Sequence, residues 1–133
     1  MKVLVCGGRS FDDLPLFDRR MDELHQRYKF TAVVHGGASG ADTMAQFWAG
    51  FNGLPIEVYH ANWKKHGKAA GPIRNQRMID EAKPDVVVAF AGGRGTADMK
   101  KRALAAGIGV FTFDESITGD SFAASNGTRE GAA

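Results

Sequence analysis

A single cysteine, Cys6, in 133 residues excludes an internal disulfide and leaves no Cys-rich zinc site to consider. Its position at the end of a short apolar run reads as a small buried hydrophobe. Long hydrophobic stretches are missing as well. No run approaches the ~20 residues that a membrane span needs, and no charged start leads into an apolar leader. The expected compartment is cytoplasmic, so the Asn126-Gly127-Thr128 glycosylation pattern is discounted. Charge of one sign is scarce too: 17 basic and 15 acidic residues leave a formal +2, too little by itself to argue for nucleic acid. The standard catalytic signatures are also absent. There is no Ser nucleophile elbow, no histidine pair at metal-ligand spacing and no Gly-Lys-Ser/Thr of a Walker loop. No metal and no resident cofactor are expected.

Glycine is what the chain has in quantity, and it collects where apolar runs end. Gly7-Gly8-Arg9-Ser10-Phe11 follows Lys2–Cys6, His35-Gly36-Gly37-Ala38-Ser39-Gly40-Ala41-Asp42 follows Phe30–Val34, and Gly92-Gly93-Arg94-Gly95-Thr96 follows Val86–Ala91. Between the second and third stands Gly71-Pro72-Ile73-Arg74-Asn75. The apolar runs are predicted strands: 3–6, 30–34, 56–59, 85–90 and 109–113. Helical spacing of Leu14, Phe17, Met21, Leu24 and Tyr28 predicts the first helix, and further helices are expected over about 41–51, 72–82 and 96–106. The basic segment 61–71 has no helical period and reads as a loop.

Strands that are apolar throughout are buried on both faces, and each is followed by a helix-length crossover. Together these predict an α/β fold, a Rossmann-like open parallel sheet of five strands in the order 3-2-1-4-5 with helices on both faces. One domain is expected over 1–115, with a polar, disordered tail over 116–133. In such a sheet the segments leaving strand C-termini line one crevice, where ligands bind. Glycines admit a ligand close to the backbone, and the helix N-termini that follow present N–H groups to anions. The chain therefore reads as a binder of a phosphorylated small molecule, a nucleotide or a relative of one.

Candidate contacts follow from position. Gly8, Gly36, Gly37, Gly92, Gly93, Gly95 and Thr96 are placed to cradle phosphate, unless the third turn is only a tight connection that Thr96 caps. Ser39 is a candidate phosphate or hydroxyl contact. Asp42 is either a ribose or base contact or simply an acid favoured by the helix dipole. His35 reads as a structural histidine. Arg9, Arg74 and Arg94 suit phosphate through their planar forks, with Asn75 next to them. Lys64, Lys65, His66 and Lys68 beside Trp63 form either a basic lid that stacks a base or a solvated loop. Asp98, two residues past Thr96, is the acid that could assist cleavage of an N-glycosidic bond.

In these four segments, including Gly71-Pro72-Ile73-Arg74-Asn75-Gln76-Arg77-Met78 and Phe90-Ala91-Gly92-Gly93-Arg94-Gly95-Thr96-Ala97-Asp98-Met99, the chain resembles the YspA-like branch of the SLOG superfamily over about residues 1–114. The superfamily includes Lonely Guy phosphoribohydrolases, DprA/Smf DNA-processing proteins and molybdenum-cofactor carriers. The resemblance implies a Rossmann-like fold and a nucleotide-type ligand, with some members acting as sensors. Lonely Guy enzymes carry Pro-Gly-Gly-x-Gly-Thr-x-x-Glu, where this chain has Ala91 for the Pro and Met99 for the Glu. Arg74 stands where the family's catalytic Arg is expected. The resemblance thus carries over binding more firmly than hydrolysis. Three alternatives stay open: a phosphoribohydrolase using Arg74 and Asp98, a DNA-binding module like DprA/Smf, against which the small net charge counts, and carriage of a pterin-type cofactor. Homo-oligomers are common among similar folds, and the exposed faces of the helices over 14–28 and 96–106 are candidates for pairing.

Overall fold

A computed structural model of the chain describes residues 1–114; the segment 116–133, expected to be disordered, lies outside the described residues. Five strands, β1 (Lys2–Cys6), β2 (Ala32–His35), β3 (Ile56–Val58), β4 (Val86–Phe90) and β5 (Gly109–Phe113), form one sheet in the order β3-β2-β1-β4-β5. Every neighbouring pair is parallel, as Val3 shows by pairing with Val33 on one side and Val86 on the other. The expected fold class and strand order are both present.

Alternation along the strands divides the core in two. Val3, Val5, Val33, Val88 and Phe90 face a layer built from α1 (Leu14–Tyr28) and α2 (Ala41–Phe51), through Phe17, Met21, Ala45 and Trp48. Leu4, Cys6, Val34, Val87 and Ala89 face the opposite layer, through Met78, Ile79, Met99 and Ala103. Both faces are covered, which is why these strands read as unbroken apolar runs. Among the described residues no helix is long and apolar enough to cross a membrane.

One expectation is corrected. Residues 61–71 are not a loop: α3 (Trp63–His66) passes through a 3-10 turn (Gly67–Ala69) into α4 (Ala70–Arg77), which widens into a π turn over Met78–Ala82. The Asn62 side chain starts this run by accepting the Lys65 N–H at 3.1 Å. A helix lying on the rim with Trp63, Lys64, Lys65 and Lys68 all exposed has no buried stripe, so no apolar period marks it. Pro72 accordingly sits third in α4, where a missing N–H still costs nothing. The last helix, α5, spans Arg94–Ala105 and starts two residues earlier than its apolar spacing suggests.

Candidate functional site

The turns after β1, β2 and β4 meet at the carboxyl edge of the sheet, where β1 and β4 lie side by side and their crossovers leave in opposite directions. Gly8 donates its N–H to the Ala91 carbonyl at 2.8 Å, tying the first and third turns together. A cleft of about 590 Å³ opens there. Of the residues singled out from sequence, Gly8, Arg9, Gly36, Asp42, Arg74, Asn75, Gly93, Arg94, Gly95, Thr96 and Asp98 line it, together with Trp63 and Lys68. Gly37 and Ser39 instead line an adjoining chamber of about 280 Å³, which shares Arg9, Gly36, Ala38, Trp63 and Arg74 with the cleft. Gly92 faces neither: it packs on the Gly8 backbone and on Thr96, so its role is to bring two turns into contact.

Arg74 reaches across from α4 and is anchored before any ligand arrives. Its Nη1 donates to the carbonyls of Gly36, at 2.6 Å, and Tyr59, at 3.3 Å, while Nε donates to Asn75 Oδ1 at 3.1 Å. A Cβ on Gly36 would run into this guanidinium, which is the physical reason for glycine there. Burial pulls Arg74 below the ordinary arginine range, opposed by the charge of Asp42. Asp42 is buried in the first turn of α2, and its Oδ2 accepts the N–H groups of Gly36 and Ala38, both at 3.1 Å. Burial pushes its carboxyl up, against those two hydrogen bonds and the nearby His35 and Arg74. Asp42 therefore organises the second turn as well as lining the cleft. His35 is structural: Nδ1 accepts the Gly37 N–H, so Nε2 carries the proton and donates to Gln46 Oε1 at 2.6 Å.

The opposite wall is the start of α5. Gly93 is the N-cap and offers no side-chain bond, so the N–H groups of the first turn are left without a side-chain cap. Thr96 does not cap this helix; it is buried in the first turn with Oγ1 against Gly92. Asn75 is buried between the walls and donates Nδ2 to the Gly95 carbonyl at 3.2 Å and to Asp98 Oδ2 at 3.0 Å. The same Asp98 oxygen accepts Arg102 Nε at 2.8 Å. Burial raises Asp98, but the bonds from Arg102 and Asn75 and the Arg102 charge outweigh it, so the carboxyl lies below the usual range. Arg102 is a residue that sequence reading missed; its i,i+4 spacing from Asp98 on a helix was the available signal.

The mouth is framed by Trp63, half exposed, with the Arg9 guanidinium 5.3 Å from its ring centroid. Lys68 lines the cleft whereas Lys64, Lys65 and His66 do not. Ser39 Oγ donates to the Arg9 carbonyl at 3.1 Å, so it braces two turns against each other. Cys6 lies on the floor, but burial and then Asp42 push its thiol up to about 12, which leaves it inert at neutral pH.

Comparison with known proteins follows the same elements. The model of the YspA, cpYpsA-related SLOG family matches residues 1–66, which carry the first two glycine turns. The Gene 61 protein of Mycobacterium phage D29 is 42% identical over 123 residues, covering 86% of this chain and 97% of that protein. Among solved structures, DNA processing protein A (DprA) from Streptococcus pneumoniae superposes with a TM-score of 0.69 at 24% identity. That match covers 98% of this chain but 56% of the DprA chain, and at this identity the likeness is one of fold.

Proposed function

Because this chain belongs to the YspA-related SLOG family, we propose that its cleft binds a nucleotide or a phosphorylated nucleotide derivative, as a sensor would. One observation carries the reading: the uncapped first turn of α5 and the cations Arg9, Arg74 and Lys68 share one cleft. Free N–H groups and the helix dipole favour an anion at Gly93–Thr96, and the Arg9 fork and the charge and remaining Nη2 of Arg74 neutralise it. Gly8, Gly36 and Gly95 line the wall without side chains, and Arg94 stands at its rim. Gly37 and Ser39 flank the adjoining chamber, where a second polar group of the ligand would lie. Trp63 offers a flat face to a base; stacking of that kind is worth about 1–3 kcal/mol.

Binding is favoured over hydrolysis by the state of the acids. Asp98 Oδ2 already accepts hydrogen bonds from Asn75 and Arg102, and the Arg102 charge neutralises the carboxylate, so it is a weak base and a poor stabiliser of a developing cation. Met99, at the position of the Lonely Guy Glu, is buried in the core between sheet and helix and does not line the cleft.

The test is a thermal-shift screen of nucleoside mono-, di- and triphosphates, cyclic nucleotides and NAD-derived compounds, with mass spectrometry of what is recovered. At a hundredfold excess over Kd, a true ligand is expected to stabilise the wild type by about 2.7 kcal/mol. Arg74→Ala should weaken binding about thirtyfold or more, the equivalent of the roughly 2–5 kcal/mol of a lost buried charge contact. Gly36→Ala should do the same, because the added Cβ displaces the end of the Arg74 side chain and crowds Asp42 Oδ2 at 3.1 Å, and circular dichroism checks that the fold holds. Intact recovery supports sensing. Free base that disappears in Asp98→Asn would make the protein a phosphoribohydrolase. Silence from every nucleotide, with steeply salt-dependent oligonucleotide binding, would replace the proposal with a DNA-binding module.

A further inference from the structure

Helix α2 carries an outer face unlike those of its neighbours. Its exposed residues are Thr43, Gln46, Phe47, Gly50 and Phe51, with no charge among them. By contrast the other helices mix charges with their exposed apolar residues: α1 exposes Arg19, Asp22, Glu23 and Arg27 beside Leu14, α4 Arg77 beside Ile73, and α5 Arg94 and Lys101 beside Leu104. Phe47 is 73% exposed and Phe51 95% exposed, one turn apart on the same side. Phe47 also closes a shallow groove of about 570 Å³ with Phe11, Leu14 and Met44, whose far end carries Arg9 and Asp12, one charge of each sign. Two nearly bare phenylalanine rings present about 300 Å² of apolar surface, the size at which a patch marks a contact site.

Gly50 adds a second observation. It lies in the last turn of α2 with ordinary negative φ, and a Cβ there would meet nothing within 4 Å. Nothing among the described residues therefore calls for glycine, although glycine weakens a helix relative to alanine. A bare backbone between two exposed rings does serve a helix packing closely from outside.

We propose that this face is the contact between two copies of the chain, paired through antiparallel α2 helices about a two-fold axis. An uncharged surface offers a charged partner nothing to pair with, whereas a copy of itself brings no like-charge repulsion. Two-fold pairing sets Phe47 of one copy against Phe51 of the other, twice, with the Gly50 backbones letting the helices approach. The two rings supply over a third of the ~800 Å² per partner of a standard interface, and Leu14, Met44, Thr43 and Gln46 border them. The proposed contact is thus centred on α2, with Leu14 of α1 at its border, rather than on the helices over 14–28 and 96–106. Its groove adjoins the nucleotide site, sharing Arg9 with the cleft and Ser39 with the chamber beside it, but the rings of Phe47 and Phe51 line neither.

Sedimentation velocity of the full chain over a micromolar concentration series tests it. The wild type is expected to pass from monomer to dimer, while Phe47→Lys and Phe51→Glu each stay monomeric with unchanged circular dichroism. Mixing Phe47→Lys with Phe51→Glu should restore a dimer, because one contact regains two rings and the other becomes an ion pair. Gly50→Leu should weaken pairing roughly tenfold or more while the fold holds. A wild type that remains monomeric, or single variants that dimerise as it does, would overturn the proposal.

Discussion

Asp42 shows how a single residue in this site combines two duties. Its ordinary carboxyl value of 3.8 is raised in the fold, mainly by burial. A carboxyl raised on folding binds its proton more tightly in the native state, so it favours the fold at low pH. That contribution is lost as pH climbs from 3.8 through the folded value. In Asp42→Asn the amide oxygen can accept the same Gly36 and Ala38 N–H groups, and nothing titrates. The stability of Asp42→Asn relative to wild type should therefore rise as pH moves from about 4 toward neutrality. Urea unfolding of both proteins across that range measures it. Asp98, lowered in the fold, has the opposite sign and loses stability as pH falls, but it is common to both and cancels. A flat difference would mean that the Asp42 carboxyl is not raised.

At the scale of elements, the helices and their ends explain most of what pattern reading found and missed. α1, α2 and α5 each bury one stripe and were legible from it; α3 buries none of its residues and was not. Two helix ends turn on lysines in the left-handed region, Lys29 at φ 56° and Lys83 at φ 51°, where glycine is favoured. Lys29 is partly compensated, donating its N–H to the His25 carbonyl and Nζ to the Gln26 carbonyl. Lys83 follows the π turn and precedes Pro84, with its side chain exposed. Lys83→Gly should raise stability by about 0.5–1 kcal/mol, read as a higher urea midpoint with unchanged slope. Lys29→Gly should gain less, because it forfeits the Nζ bond.

Across the whole molecule, the α1–α2 layer is held by rings that meet under the cleft. Phe90 ends β4 just before the third glycine turn and sits 5.3 Å from Phe11, 4.7 Å from Phe17 and 5.9 Å from Phe113, centroid to centroid. It is 1% exposed. Phe90→Ala should cost about 3–5 kcal/mol, the sum of lost transfer energy and the cavity left behind. Against a total stability of about 5–15 kcal/mol, that is a large share, and the denaturant midpoint should fall accordingly. The same cavity would loosen the floor beneath Gly92 and Gly93, so nucleotide affinity is expected to fall with it.

By itself the sequence determined the parallel sheet, its strand order and the edge at which the turns gather. Those follow from unbroken apolar runs, crossover lengths and glycines after strands, all of which are local patterns with a global consequence. It also marked Arg74, Asn75 and Asp98 as belonging near one another. Only the tertiary structure decided what their polar atoms are doing. Asp98 is committed to Arg102 and Asn75, Asp42 to the Gly36 and Ala38 backbone, and Gly92 to its neighbour turn rather than the cleft. The reason is physical: period and turn chemistry are written within a few residues, whereas hydrogen-bond capacity is used up by whichever groups the fold brings opposite. The bare rings of Phe47 and Phe51 belong to the same class. Their helical spacing leaves open which way the helix turns them, and only the packing of α2 on the sheet puts them on the outside.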